Sequence, residues 1–303
     1  MPSTESDALR AHFQSMSDRM AADPGMDLLA LRAMMNELGD RGAEPEDVTY
    51  SEVDADGVRG LWCTPAGAAA DRVVLYTHGG GFVANSIASH RKLAAHLARA
   101  TGARAFMPDY RLAPEHPFPA ALDDALAAYR YLRGQGIEAG RIVTAGDSAG
   151  GNLAVSLVVR LRELGEPLPA GIVAFSPWVD MEHLGKTLDT NAETDALVQR
   201  PVVEMMGAMY LGESGSPTDP LANPLHADLT GLPPLFVAAG GAECLLDDSQ
   251  RLADRARDHD VEVEFSISPG QQHVYPFMVG RAQEADDTVS AAGSWARAKL
   301  GLS

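Results

Sequence analysis

Apolar residues recur at two different spacings along this chain, and the change between them divides it. Over residues 7 to 39, Leu9, Phe13, Met16 and Met20, then Leu28, Leu29, Leu31, Met34 and Met35, follow helical spacing, which predicts two amphipathic helices. Short apolar runs then take over. Strands are expected at about 47–54 and 57–64, then over Val73–Thr77, Ala105–Pro108, Ile142–Ala145, Pro234–Ala239 and the alternating Val261–Ser268. Helix-forming runs separate them, and that alternation predicts an α/β fold with a mostly parallel central sheet flanked by helices. It breaks once. Between Asp180 and Asn223-Pro224-Leu225 no strand pattern occurs, and Pro201–Leu211, with Met205, Met206, Met209 and Tyr210, reads as a helix. The expected organisation is an N-terminal helical part at 1–45 and one domain at 46–303, with 182–222 inserted in it.

Two glycine-rich turns interrupt this pattern where chemistry is expected. Gly146-Asp147-Ser148-Ala149-Gly150-Gly151 follows the run Ile142–Ala145 and leads into Asn152–Val159. Strand, glycine-framed serine and helix together describe a nucleophile elbow. The turn is so tight that only residues with little or no side chain leave room beside the serine, and the following helix N-terminus favours developing negative charge. Alone, this could be a glycine-rich turn. The second turn, His78-Gly79-Gly80-Gly81-Phe82, follows Val73–Thr77. Three successive glycines let backbone N–H groups approach a ligand atom without side chains in the way. In acyl transfer that atom is the carbonyl oxygen becoming an oxyanion. Ser148 is therefore the candidate nucleophile, and the amides of Gly80, Gly81 and Ala149, with Gly79 as a further candidate, are the candidate oxyanion donors.

With the segment Asp109-Tyr110-Arg111-Leu112-Ala113-Pro114-Glu115-His116-Pro117-Phe118-Pro119 after the next strand, these motifs resemble the hormone-sensitive-lipase-like, bacterial family IV, serine esterases of the α/β-hydrolase fold. The resemblance spans nearly the whole chain. It implies that the insertion and the N-terminal helices form a cap over the site, and that the proline-rich segment is structural, with one or two X-Pro bonds able to be cis. It also implies the chain order Ser, then Asp or Glu, then His. That order leaves His183, His226, His259 and His273 as bases. Of these, His273 follows a strand and the turn Pro269-Gly270, the expected position, whereas His183 falls in the insertion and His226 and His259 read as surface residues. For the acid, the family pattern places Glu243 in Gly240-Gly241-Ala242-Glu243-Cys244-Leu245-Leu246-Asp247-Asp248. Asp247 competes with it, although Asp247 and Asp248 suit the first turn of the next helix, and Asp180 is a more distant alternative. The implied activity is hydrolysis of small, short-acyl esters through Ser148, Glu243 and His273. A lactone hydrolase or amidase would use the same residues. A ligand-binding homologue without catalysis is disfavoured because every role has a candidate.

Composition narrows the partners. Lys and Arg number 24 against 42 Asp and Glu, a net charge of -18, which disfavours nucleic acid, anionic membranes and strongly anionic esters. No run approaches 18 apolar residues, and the polar, acidic start Met1–Asp7 lacks a targeting pattern. Two cysteines, Cys63 and Cys244, suit a reducing compartment without disulfides or a metal cluster. The expectation is a cytoplasmic monomer or homodimer acting on a small-molecule ester, with no metal and no organic cofactor.

Overall fold

The computed structural model describes residues 2–303. Eight strands form one sheet in the order β1-β2-β4-β3-β5-β6-β7-β8. Here β1 is Val48–Ala55, β2 Val58–Pro65, β3 Ala69–Thr77, β4 Ala103–Pro108, β5 Ile142–Asp147, β6 Gly171–Phe175, β7 Leu235–Gly240 and β8 Val263–Ser268. β2 runs antiparallel to β1 and to β4, while β3 through β8 pair in parallel. The parallel strands β5, β6 and β7 are buried along their whole length, which is why they read as continuous apolar runs; edge strand β8 alternates because only one of its faces is covered.

Nine α-helices surround the sheet among the described residues: α1 Thr4–Ala22, α2 Leu28–Asn36, α3 Ile87–Thr101, α4 Ala120–Gly134, α5 Ala149–Glu163, α6 Thr187–Thr190, α7 Arg200–Leu211, α8 Leu246–Asp258 and α9 Gln283–Lys299. α5 is buried from Ala149 through Val159, and its sequence there is accordingly apolar apart from Asn152 and Ser156, which hydrogen-bond to each other, with Asn152 also donating to the Trp178 and Ala222 carbonyls. α1 buries Leu9, Phe13 and Met16, as their spacing predicts. Leu29 departs from expectation. It is 75% exposed, since the buried stripe of α2 runs through Leu31, Met34 and Met35 and position 29 lies off that stripe.

The region between Asp180 and Asn223 contains only α6 and α7. It is tied to α1 by Ser17 Oγ, which donates to the Ala196 carbonyl at 2.6 Å. Two X-Pro bonds, Ala113-Pro114 and Phe118-Pro119, are cis. Among the described residues no helix is long and apolar enough to cross a membrane.

Candidate active site

The carboxyl ends of β3, β5, β6, β7 and β8 carry the loops that surround one cavity. Ser148 sits between β5 and α5 with φ 52°, a left-handed conformation that costs free energy in a non-glycine residue and is held only where the surroundings impose it. The imposing feature is crowding. A Cβ at Gly146 would land on the Gly150 carbonyl oxygen, and one at Gly150 on the Thr77 carbonyl oxygen at the end of β3. The two glycines thus let strand, turn and helix cross at backbone contact, and Thr77 Oγ1 closes the crossing by donating to Gly150 O at 2.7 Å. Ser148 lies at the start of α5, whose first N–H groups, Ala149 included, lack intrahelical acceptors.

The glycine run beside it is shaped by Asp147. This buried carboxylate accepts from Tyr76 Oη at 2.7 Å and from the Gly79 amide at 3.3 Å, and contacts His90 Nε2 at 3.1 Å. Burial by itself would raise its pKa, but His90 and Tyr76 outweigh burial and hold the carboxyl below its usual range. Gly79 N–H also lies 3.3 Å from His90 Nε2, so its donor is committed within the protein. Gly80 and Gly81 have φ 115° and 63° and line the cavity with Ser148. A Cβ on Gly80 would strike the Ala84 carbonyl, and one on Gly81 the Met206 thioether. His78 faces away, stacked on Tyr110 with ring centroids 4.3 Å apart, and burial holds it neutral with its pKa lowered to about 3.

His273 and Glu243 meet on the other side. Their closest atoms, Nδ1 and Oε1, are 3.7 Å apart, and both atoms are buried without a hydrogen-bond partner. The other carboxylate oxygen is fixed: Glu243 Oε2 accepts from Ser176 Oγ at 2.6 Å and from the Gly240 amide at 2.9 Å. Ser176 Oγ in turn accepts from Val274 N at 3.1 Å, so one hydroxyl ties the Glu243 loop to the His273 loop. Burial lowers the His273 pKa, but Glu243, with Asp195 and Asp147, more than offsets this and raises it above 6.5. His273 and Ser148 line the same cavity.

The competing acids lie elsewhere. Asp247 accepts from the Lys186 amide at 3.2 Å. Asp248 accepts from the amides of Val179 and Asp180 at 2.9 Å each. Asp180 accepts from the amides of Glu182 and Leu184 and from Arg251. None of the three lines the cavity. Among the other histidines, His226 pairs with Glu182 at 2.6 Å and His259 Nδ1 meets the Arg255 carbonyl at 2.8 Å. Sequence reasoning missed Ser176, Asp195 and the role of His90, whose partners are distant in the chain. Asp147 stands within the serine turn, but its local sequence assigns it no task.

The remaining walls are apolar. Phe13 and Met20 of α1, Met35 of α2, Leu38, Trp178, Leu197, Val198, Val202, Val203 and Met206 of α7, and Phe277 enclose the cavity. A serine in a forced turn and an imidazole lining one cavity, with a fixed carboxylate 3.7 Å from the imidazole and a glycine run beside the serine, are the groups that acyl transfer uses. The sheet and this site define a carboxylic ester hydrolase of the α/β-hydrolase fold. A family profile described as the alpha/beta hydrolase fold matches residues 74–277. An acetyl-hydrolase of Streptomyces hygroscopicus is 39% identical over 87% of this chain and 86% of its own length, and an esterase of Acinetobacter venetianus is 37% identical over 80% and 79%. The crystal structure of an esterase from the bacterial hormone-sensitive lipase family covers 99% of this chain and 100% of its own at TM-score 0.94 and 39% identity. EstE5, crystallised and soaked with p-nitrophenyl butyrate, covers 99% and 100% at TM-score 0.91 and 34% identity. The chain belongs to the bacterial hormone-sensitive lipase family of esterases.

Proposed function

We propose that this esterase hydrolyses small, short-acyl esters with Ser148 as nucleophile, His273 as general base and Glu243 as the acid that orients it. The observation that carries the reading is the convergence, in one apolar cavity, of Ser148 in its forced turn and of His273 facing Glu243 at 3.7 Å. His273 takes the Ser148 hydroxyl proton as Oγ attacks the ester carbonyl. Glu243 stabilises the resulting imidazolium, and the two groups close on each other as charge develops, since such contacts are often long before substrate binds. The oxyanion is received by the amides of Gly80, Gly81 and Ala149. Gly79 is left out of this set because its N–H is committed to Asp147. Loss of one such donor costs about 100- to 1000-fold in kcat. His273 then protonates the departing alcohol, and the same base activates the water that releases the acid from Ser148.

The apolar lining of the cavity suits an uncharged ester with a small apolar acyl group. We assign its cover to α1, α2 and the insertion with α7, which act together as a cap. A relative bearing the name acetyl-hydrolase and a structural neighbour soaked with a butyrate ester point the same way. Rates on p-nitrophenyl esters of increasing acyl length, with lactones and amides alongside, test the substrate class: turnover is expected to peak at acetate or butyrate, and a maximum on long chains or amides overturns the assignment. Ser148→Ala is expected to lose about 10⁶-fold in kcat, as in other serine hydrolases stripped of the nucleophile; undiminished turnover overturns the mechanism.

A further inference from the structure

One part of the insertion touches both loops that carry the proposed acid and base. Between α6 and α7, Asn191 Nδ2 donates to the Glu243 carbonyl at 2.9 Å and Thr194 Oγ1 to the Ala242 carbonyl at 2.9 Å. Asp195 Oδ2 accepts from the Cys244 amide at 2.7 Å. On the base side Gln272, next to His273, accepts from the Ala196 amide at 2.8 Å and donates to the Thr194 carbonyl at 2.9 Å. Asp195 Oδ1 folds the segment back on itself by accepting from the amides of Leu197 and Val198 at 2.9 and 2.8 Å, and those two residues line the cavity. Five hydrogen bonds thus join the segment to the acid and base loops, and two more within it reach the substrate wall.

Asp195 is 3% exposed, and among the described residues it forms no ion pair with a lysine or arginine. Its two oxygens satisfy three amides on two sides, which the single acceptor oxygen of Asn, Ser or Thr could not do, and the charge is buried with no cation paired to it. Burial raises the Asp195 carboxyl above its usual range, and positive charge forming on His273 acts in the opposite sense and favours the carboxylate. We propose that Asp195 is a positioning residue for this reaction: it holds the Glu243 loop against the His273 loop through the segment Asn191–Gln199, and supplies a second negative charge toward the imidazolium. The inference rests on the assignment of Ser148, His273 and Glu243 above. The groups that act on His273 are Glu243 from the β7–α8 loop, Asp195 from the insertion and Asp147 from the end of β5. The Cys244 thiol, pushed up to about 12 chiefly by burial, stays neutral beside them.

The test is kinetic, on the full chain, with p-nitrophenyl butyrate and rates normalised to titrated active sites. Asp195→Asn keeps the volume but turns a donor toward the Cys244 amide. It is expected to lower kcat about 10- to 100-fold, the cost of a small misplacement of catalytic groups, with KM little changed and the acid limb of kcat/KM moved to lower pH. In a Glu243→Gln background the same change is expected to cost less than about 3-fold more, because coupled groups are non-additive. An Asp195→Asn enzyme with unshifted acid limb, or with losses that multiply in the Glu243→Gln background, overturns the inference. If Glu243→Gln itself retains full activity, the triad assignment fails, whatever Asp195→Asn does; if Glu243→Gln collapses while Asp195→Asn matches the wild type, only the role of Asp195 fails. Should Asp195→Asn not fold, the exposed Thr194→Val serves instead: kcat about 2- to 5-fold lower at unchanged KM and unfolding midpoint, the loss of one neutral hydrogen bond, supports the clamp, and wild-type kcat overturns it.

Discussion

Glu243 and Asp247 stand four residues apart and meet different fates. The Glu243 carboxylate is fully buried, with one oxygen fixed by Ser176 and Gly240 and the other facing His273, whereas Asp247 reaches a backbone amide of the insertion. Glu243→Gln is therefore expected to reduce kcat by about 10⁴-fold, the scale seen when a triad acid is neutralised, while Asp247→Asn stays close to wild type; the opposite ranking in a steady-state assay would move the acid. The pH dependence follows from His273. With His273 as the proposed base, its raised pKa is expected to place the acid limb of kcat/KM above pH 6.5, since that base would have to be neutral to accept the serine proton. The same shift stabilises the fold below pH 6.5, and that stability is lost as pH rises through the folded value. Asp248 shows a stronger case of the same sign. Burial, with the charge of Asp180 adding to it, raises its carboxyl from 3.8 to about 7, so the native state keeps a proton that the unfolded chain releases between those values. Its contribution to stability is complete below pH 3.8 and declines toward pH 7. Asp248→Asn should flatten that decline and raise the unfolding midpoint at pH 8 relative to wild type, read by circular dichroism at pH 5 and pH 8; an equal pH slope in both proteins would contradict it.

At the scale of elements, the strand–turn–helix around Ser148 is where sequence and structure agree most closely. β5, the glycine-framed turn and α5 were all readable because the constraint is local: Gly146 and Gly150 are needed where backbones touch. Gly150→Ala should displace α5 from β3, and its expected cost is about 3 kcal/mol or more, the overpacking penalty at a site that cannot relax; a thermal midpoint within a degree or two of wild type would show that the crossing has slack. The glycine run at 78–81 was legible for the same reason, but what holds it was not. Asp147, His90 and Tyr76 converge from β5, α3 and β3, and nothing in their local sequence signals that they meet. Ser176 is another such case. It reads as the start of a Ser-Pro-Trp turn, and only the pairing of β6 with β7 brings its hydroxyl to Glu243.

For the whole molecule, the N-terminal helices α1 and α2 both contribute side chains to the cavity. Phe13 and Met20 line it, Ser17 ties α1 to Ala196, and Ser3 reaches Glu284 of α9 through both its amide and its hydroxyl. Removal of residues 1–22 is expected to leave the far-ultraviolet spectrum of the sheet in place, to increase binding of a hydrophobic dye and to lower esterase activity more than 10-fold, the effect of admitting water to a site built to exclude it. Full activity in that truncation would mean that α1 is dispensable. The chain's own pattern determined the order of strands and helices, the two glycine turns and the residue types able to perform acyl transfer, because periodicity and backbone crowding act over a few neighbouring residues. Tertiary structure decided which carboxylate faces His273, that Gly79 spends its amide on Asp147, and that Asp195 joins the insertion to both loops. Those outcomes depend on contacts between residues 30 to 76 positions apart, and such partners are chosen by the packing of strand ends rather than by the sequence beside them.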